Sequence, residues 1–279
     1  MYTRLLKIYE AHGAKVRNLS EGVRGLEVFE NCMLNEHFTH NKGNRKWKDK
    51  QEVSPDVTGP KRYKQLADLI RHYSEGLETF TIVETGTWNG GRAIEMALAA
   101  FQNTDAVHYR GFDLFEEATD ETDKVELNIK AHNATEAVGK RLADFAVKMK
   151  EQGKTFTYSL FCGDTKETMK GKSFDDVDFA YIDGGHSYDT VSSDYNNLKD
   201  VPVVVFDDFY SHEDKEFLKD DNYNGIIRVV DAIENKRKSI LPSDDPTAFG
   251  GKVHLAVVAN KNTKDIPEQL KRVPIIVRP

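Results

Sequence analysis

The sequence predicts an α/β fold built on a doubly wound, mostly parallel sheet of seven strands with a small N-terminal appendage. Short β-branched runs alternate with amphipathic segments from residue 61 onward, a pattern typical of a parallel sheet covered by helices on both faces. One buried run ends in a Gly-rich turn and a helix, VETGTWNGGRAIEMALAA at 83–100, and two later hydrophobic runs end in aspartates. Ligands of such sheets bind at the carboxyl ends of the strands.

The elements follow from hydrophobic periodicity and from turn residues. We expect strands at 79–84, 107–112, 155–161, 177–182, 202–206 and 252–259, with a further candidate at 273–277. We expect helices at 61–75, 91–102, 134–152, 187–199 and 224–237. The acidic stretch 116–130 is poorly periodic and predicts a mobile insertion. Pro60 suits the first turn of a helix, so we place a domain boundary there, between a helical or loop cap segment, 1–60, and the main domain, 61–279.

Composition places the chain among soluble globular proteins, with 279 residues, 39% hydrophobic and 30% charged. No apolar run reaches the ~20 residues of a membrane helix, and the first residues lack a signal-peptide pattern, so we expect a cytoplasmic location. The net charge of -7 argues against general nucleic-acid binding. Cys32 and Cys162 suggest neither a disulfide framework nor a zinc site. The basic run 37–50 around Trp47 is better explained as a solvated loop than as a substrate-contacting cap.

The Gly-rich turn is typical of a nucleotide-cofactor site. Gly86, Gly90 and Gly91 allow tight turns, and the following helix presents its N-terminal N–H groups to a ligand, with Glu84 placed to accept a hydrogen bond. The spacing is GxxxGG, and the bulky Trp88 fills the second position of the GxGxxG dinucleotide fingerprint. Ordinary turn chemistry explains such a glycine pair about as well on its own.

Asp113 strengthens the interpretation of the turn as a cofactor site. It ends a second short strand about 27 positions after Gly86, in the range expected for an acid that binds ribose hydroxyls in a doubly wound sheet. Its alternative role is that of a solvated loop acid beside Glu116 and Glu117.

Three aspartates end two neighbouring strands of the predicted sheet. DVDFAYIDGGHSYD carries Asp183, and VPVVVFDDFY carries Asp207 and Asp208. Three carboxylates this close repel one another unless a cation lies between them. Oxygen ligands favour Mg²⁺, Mn²⁺ or Ca²⁺, of which we expect magnesium. Taken one at a time, the same residues are better explained as helix caps and turn residues, whereas the three together favour a metal site.

The motifs ETGTWNGG, GFDLFE, GD at 163–164, YIDGGHSYD and VVVFDDF resemble, in this order, those of class I S-adenosylmethionine-dependent methyltransferases. More narrowly, they are similar to the macrocin O-methyltransferase group, which methylates hydroxyls of sugars and antibiotics with a divalent metal. The resemblance spans roughly residues 61–260 and implies a Rossmann-like methyltransferase fold.

The resemblance also implies roles for individual residues. Glu84, Gly86, Trp88 and Gly90 would belong to the cofactor turn at the methionine end, Asp113 would hold the ribose and Asp164 would lie near the adenine. Metal ligands would be Asp183, Asp207 and Asp208, with Asp183 also counted among the catalytic and cofactor-contacting residues.

This chain departs from the family pattern at Gly185, where close relatives often place the aspartate that acts as base. The neighbouring His186 is the candidate base, with capping of the next helix or metal ligation as its alternatives. We expect the acceptor to be a small molecule, a sugar or other polyol, and the sequence leaves open whether the chain forms a homo-oligomer. Two other functions stay open, an NAD(P)-dependent oxidoreductase on a similar sheet and a non-catalytic binding subunit.

Overall fold

The computed structural model of the chain describes residues 60–126, 128, 130–211, 221–247 and 251–271. All of them lie in one compact unit, Pro55–Pro279. Residues 1–59 of the predicted cap segment, with the basic run 37–50, and the candidate strand 273–277 lie outside the described residues. Within the described part, no helix is long and apolar enough to cross a membrane.

The described chain alternates strands and helices. The strands are β1 (Thr79–Thr85), β2 (Ala106–Asp113), β3 (Thr155–Cys162), β4 (Phe179–Ile182), β5 (Val203–Ser211), β6 (Arg237–Leu241) and β7 (Lys252–Ala259). The helices are α1 (Lys61–Ser74), α2 (Gly91–Ala100), α3 (Asp120–Glu126), α4 (Thr135–Glu151), α5 (Thr165–Thr168), α6 (Tyr188–Leu198), α7 (Asp221–Ala232) and α8 (Glu268–Lys271). A short 3-10 turn, Phe115–Glu117, follows β2.

The seven strands form a single sheet in the order β3-β2-β1-β4-β5-β7-β6. The first five in this order are parallel, and β7 is antiparallel to both β5 and β6. The mostly parallel seven-stranded α/β fold is confirmed. The chain order reverses at β1 and β4, which pair directly, and such switch points are where open α/β sheets bind their ligands.

Hydrophobic cores lie on both faces of the sheet. On β1, Ile82 belongs to one core and its neighbour Val83 to the other, and both are fully buried. This alternation follows from the period of two along a strand. Because both faces are covered, the strands carry continuous β-branched runs. Ligands of such sheets bind at the carboxyl ends of the strands, where polar residues follow these runs.

The edge strand β6 was not predicted from the sequence. The helix expected at 224–237 ends at Ala232, and Arg237–Leu241 forms the edge strand β6. Asn235 has a left-handed backbone, φ 60, which breaks the helix because few residues other than Gly, Asn and Asp adopt that conformation readily. A strand of mostly polar, half-exposed residues gives no hydrophobic signal.

The acidic stretch 116–130 is more regular than predicted, because it contains α3. None of the side chains of α3 is buried, so the helix has no apolar period for sequence analysis to detect. Its start is stabilised locally instead. Thr119 and Thr122 each accept a hydrogen bond from the other's backbone N–H at 3.2 and 2.8 Å, and acidic residues in the first turn favour the helix dipole.

Candidate active site

The carboxyl ends of β1, β4 and β5 lie side by side and carry most of the predicted site. Thr85 is in register with Ile182, and Ile182 with Phe206. The Gly-rich turn, the loop with His186 and the paired aspartates therefore open at one edge of the sheet, as the sequence predicted.

Gly86 packs the Gly-rich turn directly against the turn after β4. Its φ is 88, and a Cβ atom there would lie 2.2 Å from the carbonyl oxygen of Asp183. Its N–H donates to the carbonyl of Phe112 at 2.8 Å. Gly90 begins α2 with φ 75. Only glycine fits at position 86, because both the backbone angle and the space exclude a side chain.

Glu84 is fully buried at the end of β1. Tyr109 donates its hydroxyl to Glu84 Oε2, whereas Glu84 Oε1 has no hydrogen-bond partner among the described residues. Burial raises the pKa of Glu84 to about 8, against the lowering effect of the Tyr109 hydrogen bond. An unsatisfied buried oxygen costs free energy, so a polar ligand at this position fits the predicted contact with the methionine end of the cofactor.

Asp113 anchors the cofactor turn rather than standing free. Its Oδ2 accepts from the N–H of Trp88 at 2.7 Å, and its Oδ1 accepts from the N–H of Phe115 at 2.8 Å. Both donors have left-handed backbones, with φ of 49 and 48. Each carboxylate oxygen keeps a second lone pair for a ribose hydroxyl, so the predicted ribose contact stays a prediction.

Asp164 caps a short helix. Its side chain accepts from the N–H of Lys166 at 2.9 Å at the start of α5. This is N-cap geometry, which accounts for the residue without the adenine contact implied by the family resemblance. That contact stays a prediction.

Asp207 is the most enclosed of the three expected metal ligands, and it is paired with a cation already. Arg62 Nε donates to Asp207 Oδ1 and Oδ2 at 2.9 and 3.2 Å, and the Tyr181 hydroxyl donates to Oδ2 at 2.8 Å. The N–H of Asp208 adds a bond of 2.8 Å to Oδ1. Burial alone would lower the pKa of Arg62, but Asp207, Tyr63 and Asp208 together outweigh it and raise that pKa.

The described residues do not fit a divalent cation in this arrangement. No group of three or more His, Cys, Asp or Glu side chains among them is disposed to hold a metal ion. Arg62 and Tyr181 occupy the oxygens of Asp207, and His186 occupies Asp208. Burial and the charge of Asp207 raise the pKa of Asp183 well above its usual range, so protonation relieves part of the repulsion that the sequence argument assigned to a metal.

Arg62 is the site residue that sequence analysis missed. Basic residues in the first turn of a helix oppose the helix dipole, which is the one local signal that Lys61 and Arg62 gave. A residue distant in sequence caps the helix instead. Asp245 accepts hydrogen bonds from the N–H groups of Lys61 and Arg62 at 2.7 and 2.9 Å. This cap leaves the guanidinium of Arg62 directed at Asp207.

His186 forms a pair with Asp208 at the edge of the sheet. His186 Nε2 lies 2.8 Å from Asp208 Oδ2, and both side chains are about one-fifth exposed. Burial alone would lower the pKa of His186, but the hydrogen bond and charge of Asp208 raise it. The same pair lowers the pKa of Asp208 to about 2, although burial opposes this. The expectation that a nearby dication keeps the ring neutral stays a prediction, and the described residues by themselves favour the protonated ring.

The bond to Asp208 fixes which ring nitrogen can act. In the neutral ring, Nε2 carries the proton and donates it to the carboxylate, so the lone pair is on Nδ1. Asp208 has a left-handed backbone, φ 53, at the point where the register between β5 and β7 shifts. This bulge turns the Asp208 side chain toward His186 instead of into the ladder.

Comparison with known proteins supports the chemistry suggested by this edge. Residues 83–209, which begin within β1 and end within β5, match a protein-family profile described as a methyltransferase domain. The chain therefore carries a methyltransferase domain. The matched range is slightly less than half of the chain and includes all the predicted site residues.

Solved methyltransferase structures are similar to the chain at low identity. The O-methyltransferase TomG from Streptomyces achromogenes, solved with S-adenosylmethionine, is 14% identical over 82% of this chain and 96% of its own, with a TM-score of 0.45. A putative caffeoyl-CoA O-methyltransferase from Staphylococcus aureus is 11% identical over 92% and 98%, also with a TM-score of 0.45. No curated protein sequence matches the chain. Likeness this distant says nothing of the acceptor.

Proposed function

We propose that this methyltransferase transfers the methyl group to a hydroxyl of a small molecule, a sugar or another polyol. The observation that carries the proposal is the His186–Asp208 pair beside the cofactor turn. Methyl transfer from a sulfonium needs a deprotonated nucleophile held in line with the methyl group. A hydroxyl needs help to lose its proton near neutral pH, and a histidine oriented by a carboxylate supplies a base for that step.

The residues of the site divide the work between binding and proton transfer. When bound, S-adenosylmethionine supplies an electrophilic methyl group on a positively charged sulfur. Glu84, Gly86 and Asp113 shape the turn that receives the cofactor. His186 takes the proton of the acceptor hydroxyl at Nδ1, and Asp208 holds the ring and stabilises the imidazolium that forms. Asp208 makes His186 a stronger base, which favours removing a proton from a weakly acidic alcohol.

Asp183 supports an acceptor with several hydroxyls. The structure records no hydrogen bond to its carboxylate from any described side chain, and it lies at the same strand edge as His186. A protonated or charged carboxyl there can hold a second hydroxyl while the first loses its proton. This agrees with the sugar or polyol acceptors of the macrocin O-methyltransferase group, to which we assign the chain as part of the proposal.

The test is methyl transfer from labelled cofactor to a panel of acceptors. Sugars, other polyols and glycosylated small molecules are each paired with a derivative whose hydroxyls are already methylated. We expect label to enter only compounds with a free hydroxyl, as an ether-linked methyl detected by mass spectrometry. Label on nitrogen or carbon would refute O-methylation. An oxidoreductase would instead bind NAD(H), which the filled position of Trp88 disfavours.

Asp113→Ala is expected to weaken S-adenosylmethionine binding at least tenfold, about 1.4 kcal/mol. The substitution removes the acceptor for the N–H groups of Trp88 and Phe115 together with the proposed ribose contact. Titration calorimetry measures the affinity, and Asp105→Ala, which removes an exposed carboxylate paired with Lys154 at the opposite end of β2, is the matched control. Unchanged affinity in Asp113→Ala would remove Asp113 from the cofactor site.

The divalent cation predicted from the sequence needs its own test. Since Arg62 already neutralises Asp207, we expect protein treated with EDTA and passed through a desalting column to keep its turnover, and added Mg²⁺ to leave it unchanged. A loss of activity that Mg²⁺ restores would show that a cation displaces Arg62 and that Asp183, Asp207 and Asp208 are ligands after all.

A further inference from the structure

Glu126, the last residue of α3, is hydrogen-bonded to the loop that carries His186. Its Oε2 accepts from the backbone N–H groups of His186 and Ser187 at 2.7 and 2.8 Å. Its Oε1 accepts from the hydroxyls of Ser187 and Thr190 at 2.8 and 2.6 Å. Four donors from one short stretch meet a single carboxylate, so the side chain fixes both the loop and the start of α6.

Gly185 is shaped to admit this carboxylate. A Cβ atom at position 185 would lie 2.5 Å from Glu126 Oε2 and 2.7 Å from Thr190 Cγ2. No left-handed φ is found at Gly185, so the glycine is required for space and not for backbone conformation. The carboxylate of Glu126 therefore takes up the space that the side chain of an aspartate at position 185 would need.

The segment that supplies Glu126 also contacts the cofactor turn. Trp88 Nε1 donates to the carbonyl of Ala131 at 3.0 Å, and the amine of Lys130 lies 5.0 Å from the Trp88 ring centre. Glu126 thus contacts the loop of the proposed base, and Lys130 and Ala131, a few residues later, contact Trp88 of the Gly-rich turn. Burial alone would raise the pKa of Glu126, but the hydrogen bonds from Ser187, Thr190 and His186 lower it, so the carboxylate is charged at neutral pH.

We propose that Glu126 is the positioning residue for His186, standing in for the aspartate that Gly185 replaces. The carboxylate does not touch the reacting atoms. It holds the backbone of His186 and Ser187 so that the imidazole meets Asp208, and misplacement of a base by about 1 Å costs on the order of 10²-fold in rate. The expected effect on kcat rests on the proposed function. The expected effect on the loop rests only on the contacts of Glu126 with His186, Ser187 and Thr190.

An exchange of the carboxylate between positions 126 and 185 tests the proposal. Glu126→Ala is expected to lower kcat on the order of 10²-fold with little change in KM. Gly185→Asp alone is expected to lower kcat as well, because its Cβ clashes with Glu126 and two carboxylates repel each other. The double variant Glu126→Ala, Gly185→Asp removes the clash with Glu126 and restores a carboxylate, although the new Cβ still meets Thr190 Cγ2. Its kcat should therefore exceed that of Gly185→Asp alone. If Gly185→Asp lowers kcat by the same factor in the parent and in Glu126→Ala, the proposal is overturned.

A second measurement keeps the proposal separate from the acceptor chemistry. In Glu126→Ala, the amides of His186 and Ser187 should exchange with solvent deuterium roughly tenfold faster, since each loses a charge-assisted hydrogen bond of about 1.4 kcal/mol. Glu126→Gln has nearly the same shape as the parent but lacks the charge. Its amide exchange rates should lie between those of the parent and those of Glu126→Ala. Unchanged exchange in both variants refutes the positioning role. Faster exchange without any effect on methylation refutes instead His186 as the base.

Discussion

His186→Asn is expected to lower turnover by roughly 10²–10⁴-fold, the usual range for a lost general base. Asparagine keeps a polar side chain that reaches toward Asp208 but cannot take a proton at neutral pH. Affinity for S-adenosylmethionine should stay nearly unchanged, because the cofactor turn does not depend on the imidazole. Steady-state kinetics and calorimetry on the same preparation separate the two effects.

The dependence of the methylation rate on pH tests whether the neutral ring of His186 is the active form. Since Asp208 raises the pKa of His186, the ring stays protonated to a higher pH than free imidazole, and the rate should fall as pH falls through that raised pKa. In Asp208→Asn the acid limb should move to lower pH. His108→Asn is the control, because His108 bonds to Thr157 between β2 and the terminal strand β3, neither of which pairs with β4 or β5. Full activity of His186→Asn across pH 6 to 9 would assign proton removal to another group.

Arg62→Met is expected to destabilise the fold by about 3–5 kcal/mol, the cost of leaving one member of a buried ion pair alone. Asp207 is 1% exposed, and among the described residues no other charged partner lies as close to it as Arg62. Methionine preserves much of the length and the apolar contacts of the arginine stem. The free energy of unfolding in urea measures the loss.

The double variant Arg62→Met, Asp207→Asn is the matched control for this experiment. It removes the stranded charge, so it should recover a large part of the stability lost in the single variant. Mg²⁺ should stabilise Arg62→Met and leave the parent unaffected, because only the variant frees the oxygens of Asp207 for a cation. If Arg62→Met unfolds at the same urea concentration as the parent, the ion pair contributes nothing to stability.

Sequence analysis predicted the strands and helices whose signals are local. The β-branched run of β1, the Gly-rich turn and the aspartates at the ends of β4 and β5 were all visible, because periodicity and turn chemistry act over a few residues. Strand β6 escaped because it is short, polar and half-exposed. Helix α3 escaped because it buries nothing.

The electrostatic partners within the site could not be predicted in the same way. Arg62 meets Asp207 across 145 residues of sequence, and Glu126 meets His186 across 60. Neither residue belongs to a recognisable motif. Arg62 lies at the start of a predicted helix, and Glu126 lies in the stretch that was predicted to be a mobile insertion. The metal prediction was made without this information, since three negative charges were counted without the positive charge of Arg62 that folding brings to them.

Position 208 has a consequence for engineering this enzyme. A left-handed backbone at φ 53 costs a side chain other than Gly, Asn or Asp on the order of 1–3 kcal/mol. A library screened for heat resistance alone would therefore enrich glycine and asparagine at this codon, because they carry the least strain. Both lack the charged acceptor that His186 requires, so thermostability and turnover select different residues at the same position.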